Sequence, residues 1–231
     1  MTPYPLKTAQ TAIKKMWRIF ATGTNSILEL RALWPKGVPN SRPAVNLHFH
    51  ASEYGGIDEL QEAFEAAALD LNVQGFNIYT VMNPISSSFA GPGYARDVDI
   101  AYRDLLLVDI DRIGDTSCPA DQQELEAALA LAKRIRDYMS DRGWGDPFVV
   151  MSGNGYHLYY VLDDVPNDDE SAALVRATLK NLAETFNNSI VGVDTTVYNA
   201  SRITKVPGTI MRKGIATSDR PYRMAEVCDE E

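Results

Sequence analysis

The chain has 231 residues, 45% of them hydrophobic and 23% charged, with a formal net charge of −9. That length suits one large domain or two small lobes sharing a core. No apolar run approaches the ~20 residues of a membrane span, the stretch Met1-Thr2-Pro3-Tyr4-Pro5-Leu6-Lys7 lacks the apolar core of a signal peptide, and Cys118 and Cys228 lie outside any CxxC or Cys/His cluster, which argues against a disulfide scaffold or structural zinc and for a reducing cytoplasm.

In chain order, Thr8–Phe20 reads as a short amphipathic helix. An extended segment, Ser26–Trp34, is stopped by Pro35-Lys36-Gly37, and Asn46–His50 alternates like a strand. The spacing of Leu60, Phe64, Ala67, Ala68 and Leu71 predicts a helix over Asp58–Leu71. Gly75–Met82 follows as a strand, and Ile85–Tyr94, rich in Ser, Gly and Pro, is the candidate for a mobile loop or lobe hinge. Then come a strand over Asp104–Asp111, a helix from about Pro119 to Arg142 and a strand over Pro147–Met151. A Ser152-Gly153-Asn154-Gly155 turn opens a strand over Tyr156–Leu162. A helix over Asp168–Asn187 and extended segments near Val193–Val197 and Thr209–Lys213 complete the reading. The order β-α-β-β-α-β is that of the ferredoxin-like arrangement, in which the first and third strands are neighbours in mid-sheet.

Two carboxylates interrupt the apolar run Leu105-Leu106-Leu107-Val108-Asp109-Ile110-Asp111-Arg112. Burying an unpaired carboxylate is unfavourable, so something must compensate them. Residues two apart on a strand share a face, so Asp109 and Asp111 point one way while Val108 and Ile110 point into a core. That pattern suits Mg²⁺ or Mn²⁺, which take hard oxygen ligands and leave positions for water and substrate phosphates. Alternatively Asp111 opens a turn and Asp109 pairs with Arg112 or Arg103.

Material downstream weighs on that choice. Asp194 follows small and apolar residues and is a candidate third acid, although alone it reads as a turn residue. Arg202 and Lys205, three apart, can face one way on a single helical turn and hold a triphosphate; a solvated basic turn has the same spacing. His157 follows the glycine turn and, in the β-α-β-β-α-β order, lies beside the carboxylate strand. Ser152 and the backbone N–H groups of the turn can add phosphate donors. Charge is unevenly distributed: Lys7–Arg42 holds seven basic residues against Glu29, and Tyr198–Arg223 holds six against Asp219. The net charge argues against a nucleic-acid partner, whereas two basic ends flanking an acidic middle leave room for a local groove.

Together, Asp109-Ile110-Asp111, Ser152-Gly153-Asn154-Gly155-Tyr156-His157, and Asp194 with Ser201-Arg202-Ile203-Thr204-Lys205-Val206-Pro207-Gly208-Thr209 resemble the motifs of the archaeo-eukaryotic primase superfamily. The nearest likeness is to the primase-polymerase (prim-pol) domains of phages, plasmids and CRISPR-associated proteins. Asp97-Val98-Asp99-Ile100, Ile78–Pro84 and Arg220-Pro221-Tyr222-Arg223 extend the likeness, which runs from about Trp17 to Val227. It implies an α+β, two-lobed fold, with an N-terminal αβ unit over residues 1–96 and an RRM-like βαββαβ catalytic unit over residues 97–231. It implies a DNA-directed nucleotidyltransferase that adds NTPs or dNTPs to a primer or first nucleotide on single-stranded DNA, with a helicase or other replication protein as a further partner. Asp109, Asp111 and Asp194 would bind two Mg²⁺ or Mn²⁺ ions. Ser152, Gly153, His157, Arg202, Lys205 and Lys213 would contact the nucleotide, with Arg212 a weaker candidate. Many members carry zinc-binding cysteines or histidines; this chain has no such cluster, and no zinc is expected.

Two rival readings remain. His48-Phe49-His50 resembles the metal site of HUH single-strand endonucleases and replication initiators, with Tyr54 or a later tyrosine as nucleophile. A replication-associated DNA-binding module with a degenerate site is the non-enzymatic alternative, although such a module is expected to be more basic.

Overall fold

The computed structural model describes residues 5–20, 23 and 26–228. The Met1–Tyr4 part of the N-terminal reading and the last three residues of the 97–231 unit lie outside these. Helix α1 (Leu6–Met16) buries Ala9, Ala12, Ile13 and Met16, the one-sided spacing of an amphipathic helix. Strands β1 (Ile27–Leu33) and β2 (Val45–His50) pair antiparallel. Helix α2 (Ile57–Val73) packs Leu60, Phe64, Ala68 and Leu69 into the core beside Leu30, Ala32 and Phe49. Strand β3 (Asn77–Val81) pairs with β1 from the other side.

The second half begins with β4 (Tyr102–Arg112), α3 (Gln122–Ser140), β5 (Phe148–Met151), β6 (Tyr156–Pro166), α4 (Asp169–Phe186) and β7 (Val191–Val193). Their sheet order, β5-β6-β4-β7 with all neighbours antiparallel, is the ferredoxin-like arrangement, and β4 and β6 are central. Helix α3 starts three residues later than Pro119. The Asp121 carboxylate accepts the Glu124 N–H and the Glu124 carboxylate accepts the Asp121 N–H, both at 2.8 Å, a reciprocal cap that fixes the first turn. The extended segment expected over Val193–Val197 ends at Val193, and Thr195 begins a turn.

The remaining chain shuttles between sheets. Strand β8 (Ile203–Lys205) pairs with β3 and completes the first sheet in the order β2-β1-β3-β8. The helical turn expected around Arg202 and Lys205 is therefore a strand. Strand β9 (Ile210–Met211) is held by two buried amides. Asn72 exchanges hydrogen bonds with the Ile210 backbone (2.9 and 2.8 Å), and Asn77 with the Arg212 backbone (2.8 Å each). Strand β10 (Arg223–Met224) pairs with β9, and β11 (Glu226–Cys228) adds an edge beside β5.

The Ile85–Tyr94 segment, expected to be mobile, is strapped across the first sheet. Ile85 bridges Ile100, the Phe89 ring lies 5.0 Å from the His48 ring, and the Ala95 N–H donates to Glu29 Oε2 at 2.5 Å. One hydrophobic core runs through both halves, joining Ile13, Phe64 and Ile78 to Leu106, Ile110, Leu131 and Tyr159.

Candidate functional site

On β4 the alternation is as the sequence dictates. Val108 and Ile110 are fully buried in the core, while Leu107, Asp109 and Asp111 line a cavity of about 330 Å³ between the two sheets. Ser152, Asn154, His157, Asp194, Arg202, Lys205 and Lys213 line the same cavity, as do Leu33 and Tyr79 from the first sheet. The expected site residues are thus brought together, except Gly153 and the weaker candidate Arg212.

Gly153 does not line the cavity. Its φ of +103° suits the tight turn, and a Cβ there would press on Met211 and the Arg223 carbonyl. Gly155 is required for a different reason: a Cβ there would collide with the Ile110 carbonyl, so only glycine lets the turn close against the carboxylate strand. The turn is tied by Ser152, whose N–H donates to the Gly155 carbonyl at 2.9 Å and whose Oγ accepts the Gly155 N–H at 3.2 Å. Asn154 reaches the cavity in place of Gly153, and its Oδ1 accepts the Ala120 N–H at 2.9 Å.

His157 is the register partner of Asp109 across β4 and β6, which places both side chains on one face. Its Nε2 lies 3.4 Å from Asp109 Oδ1. The other ring nitrogen is fixed by two hydroxyls, Tyr159 at 3.0 Å and Thr204 at 3.2 Å, which also bond to each other. Thr204 belongs to β8, so the first sheet helps orient a side chain of the second. The arginines offered as alternative partners of Asp109 point elsewhere: Arg112 to the Pro119 carbonyl and Glu124, Arg103 to the Tyr198 carbonyl.

The two carboxylates are electrostatically unequal. Burial pushes the Asp109 carboxyl up, but His157, Arg202 and Lys213 outweigh it and hold the group below its ordinary value. Asp111 is pushed above its ordinary value by burial and by the neighbouring Asp109 charge. Lys205 is buried and shifted well below the ordinary lysine range by desolvation and then by Arg212. Its Nζ lies 5.5 Å from the Tyr79 ring centroid and 3.4 Å from the Ile210 carbonyl. Arg202 donates to the Thr196 carbonyl at 2.6 Å. Arg212 meets the Phe76 and Ile210 carbonyls, both at 3.5 Å, and is not among the residues lining the cavity.

Asp194 is fastened to the pair through the backbone, its N–H donating to the Asp109 carbonyl at 2.8 Å. Its Oδ1 accepts the Thr196 N–H at 2.8 Å. Among the described residues no group of three or more His, Cys, Asp or Glu side chains forms a ready cluster for a metal. Two oxygen-donor carboxylates on one strand face, open to a cavity and compensated by cations, nonetheless fit a hard divalent ion that keeps positions for water and phosphate. The His48/His50 pair is differently disposed. His48 Nε2 is engaged by Glu29 Oε2 at 3.0 Å, and the Tyr54 ring packs against the core beside Phe49.

Of these residues, Tyr79 and Thr204 had no counterpart among the sequence candidates. Each sits in a strand that meets the cavity only because β3 and β8 pair across the molecule, a signal absent from local alternation.

No family model and no curated protein sequence matches the chain. Solved structures share its architecture, two of them as follows. One is the AEP domain of the cyanophage S-2L primase-polymerase, 20% identical with a TM-score of 0.52, covering 95% of this chain and 89% of that one. The chain has the prim-pol fold. The other is the polymerase domain of Mycobacterium tuberculosis ligase D in complex with DNA, 17% identical with a TM-score of 0.50, covering 95% of this chain and 83% of that one. In prim-pol terms the cavity lies where the RRM-like sheet and the N-terminal sheet face each other. Among the described residues no helix is long and apolar enough to cross a membrane.

Proposed function

We propose that the protein is a primase-polymerase, transferring nucleotides to a primer or first nucleotide on a single-stranded DNA template. The observation that carries this reading is the joint lining of one cavity, on a prim-pol fold, by Asp109, Asp111 and His157 from one sheet and Arg202, Lys205 and Lys213 from the returning chain. Asp109 and Asp111, with Asp194 on the same wall, would hold two Mg²⁺ or Mn²⁺ ions, which supply charge stabilisation for the attacking and leaving oxygens. Arg202 and Lys213 supply positive charge for a triphosphate and for the negative charge that builds as pyrophosphate departs, and Lys205 adds to it once a phosphate beside it offsets its desolvation. Lys205, desolvated and without a carboxylate partner, gains most from a phosphate neighbour. His157, locked by the Tyr159 and Thr204 hydroxyls, keeps Asp109 ionised and presents Nε2 toward the cavity. NTP or dNTP preference and a helicase partner belong to the same reading.

The test is primer extension on a single-stranded template with each nucleotide type and each metal. Asp109→Ala/Asp111→Ala is expected to lower extension by about 10³-fold or more. Wild-type rates in that variant sink the proposal. His157→Ala is expected to raise KM for the incoming nucleotide about tenfold while template affinity stays the same, because the ring touches no surface outside the cavity; equal losses in both would make His157 a structural residue instead. Cleavage of single-stranded DNA with a covalent tyrosine–DNA product, lost in His48→Ala/His50→Ala, would favour the endonuclease reading.

A further inference from the structure

Register partners across the first sheet form one row on the face that meets the cavity: Asn46 on β2, Arg31 on β1, Tyr79 on β3 and Lys205 on β8. The row begins inside the cavity, which Tyr79 and Lys205 line, and ends at the open edge strand β2. Cation and aromatic ring alternate along it, because the strap brings Tyr94 onto Arg31, with the guanidinium carbon 4.3 Å from the ring centroid. The Tyr94 ring is backed by Arg31 on one side, and the residue is 52% exposed.

Two members of the row carry buried polar atoms without a hydrogen-bond partner, Arg31 Nε and Asn46 Oδ1. Both atoms are shielded from solvent, and Arg31 Nε is balanced only by a long ion pair to the equally unbonded Glu29 Oε1 at 3.8 Å, which leaves the rest of the guanidinium able to meet a second anion. Glu29 is fully buried, its Oε2 is shared by His48 and the Ala95 N–H, and its Oε1 stays 3.8 Å from Arg31 Nε. The outer part of the face therefore offers Arg31 and the exposed Tyr94 ring, with Tyr79 and the buried Lys205 at its cavity end and no exposed carboxylate in the row, although the chain as a whole is acidic.

We propose that this row seats the unpaired part of a DNA single strand leading into the cavity, with a base stacked on the exposed face of Tyr94 and backbone phosphate at Arg31. Alternating positive charge and flat rings is the chemistry that holds single strands without regard to sequence. A duplex cannot offer an unstacked base to Tyr94, so the seat selects single strands. The inference rests on the primase-polymerase reading for its direction toward the cavity, while the binding it describes is measurable without catalysis.

The experiment is fluorescence anisotropy with a short labelled oligodeoxythymidine and a blunt duplex of equal length, alongside primer extension. Tyr94→Ala is expected to weaken single-strand binding about tenfold, leaving duplex binding and the nucleotide KM unchanged. Tyr94→Phe keeps the ring and is expected to bind within about twofold of wild type, whereas Tyr94→Leu, which retains apolar packing on Arg31, follows the alanine variant. Unchanged affinity in Tyr94→Ala or Tyr94→Leu, or no single-strand binding by the wild type, overturns the proposal. Extension activity with Tyr94-independent affinity removes the seat alone. Tyr94-dependent binding without extension removes the polymerase reading and leaves the seat.

Discussion

The two sheets are built from differently distributed sequence. Four strands of the carboxylate-bearing sheet come from one continuous stretch, β4 to β7, and only its β11 edge is borrowed. The N-terminal sheet is closed by β8, which arrives after that whole stretch has been traversed. The site divides along the same line. Asp109, Asp111 and His157 stand on a locally encoded frame, while Arg202 and Lys205 are positioned only when β8 finds β3 and Asn72 and Asn77 capture the segment behind it. The difference teaches that acids and cations of this cavity can be perturbed separately.

The largest effect is expected from Gly155→Val, which drives a side chain into the Ile110 carbonyl and parts β6 from β4 at Asp109. A loss of about 3 kcal/mol or more in urea unfolding is expected, with extension activity lost at the same time. A fully stable, active variant would show that the central pairing is not rigid. Next comes Asn72→Ala, which strands the Ile210 N–H, leaves its carbonyl only the longer contacts to Lys205 and Arg212, and is expected to remove about 2 kcal/mol. Hydrogen exchange should then quicken at residues 203–212 while the β4–β6 amides keep their protection; uniform loss would mean that the two sheets unfold as one unit.

The smallest concerns a tie wholly on the catalytic side. Glu124 receives Arg112 at 2.9 Å and Arg220 at 2.7 Å. Burial raises its pKa, but Arg220, the Asp121 N–H and Arg112 outweigh that and hold it at about 2, against an ordinary value of 4.5. Because the folded value is depressed, the carboxylate contributes its full stability above about pH 4.5 and loses it as pH falls toward 2. Glu124→Gln is expected to lower stability at neutral pH by about 1 kcal/mol after solvent screening and to flatten the acid limb of the stability–pH curve. An unaltered acid limb would place the titrating group elsewhere.

Legibility in the sequence follows the same division. The β4–α3–β5–β6–α4 run is readable because each element repeats its apolar period over enough residues, as in Leu125, Leu129, Ala132, Ile135 and Met139 of α3, although Leu129 is only half-buried and Ala128 and Leu131 take the core instead. The cavity face of β4 was readable because two charged residues interrupt an apolar run with period two. Strand β8 was not, since Ile203-Thr204-Lys205 is too short for a period and its cation spacing mimics a helical turn. Strands β10 and β11 are hidden for the same reason. The strap over residues 85–94 looked mobile because its glycines and serines signal loops; what holds it is the buried Glu29 carboxylate and the His48 ring, partners remote in sequence.

The β3–β8 pairing also sets an order of assembly. While the chain emerges from the ribosome, α1 to β3 can collapse into a three-stranded sheet whose β3 edge lies open until the strand carrying Lys205 arrives. Through that interval the exposed edge can recruit a wrong strand, including β3 of another copy. Synthesis speed across β4 to β7, and chaperone cover of that edge, would then govern how much correctly folded protein a cell obtains, even where the finished fold is stable.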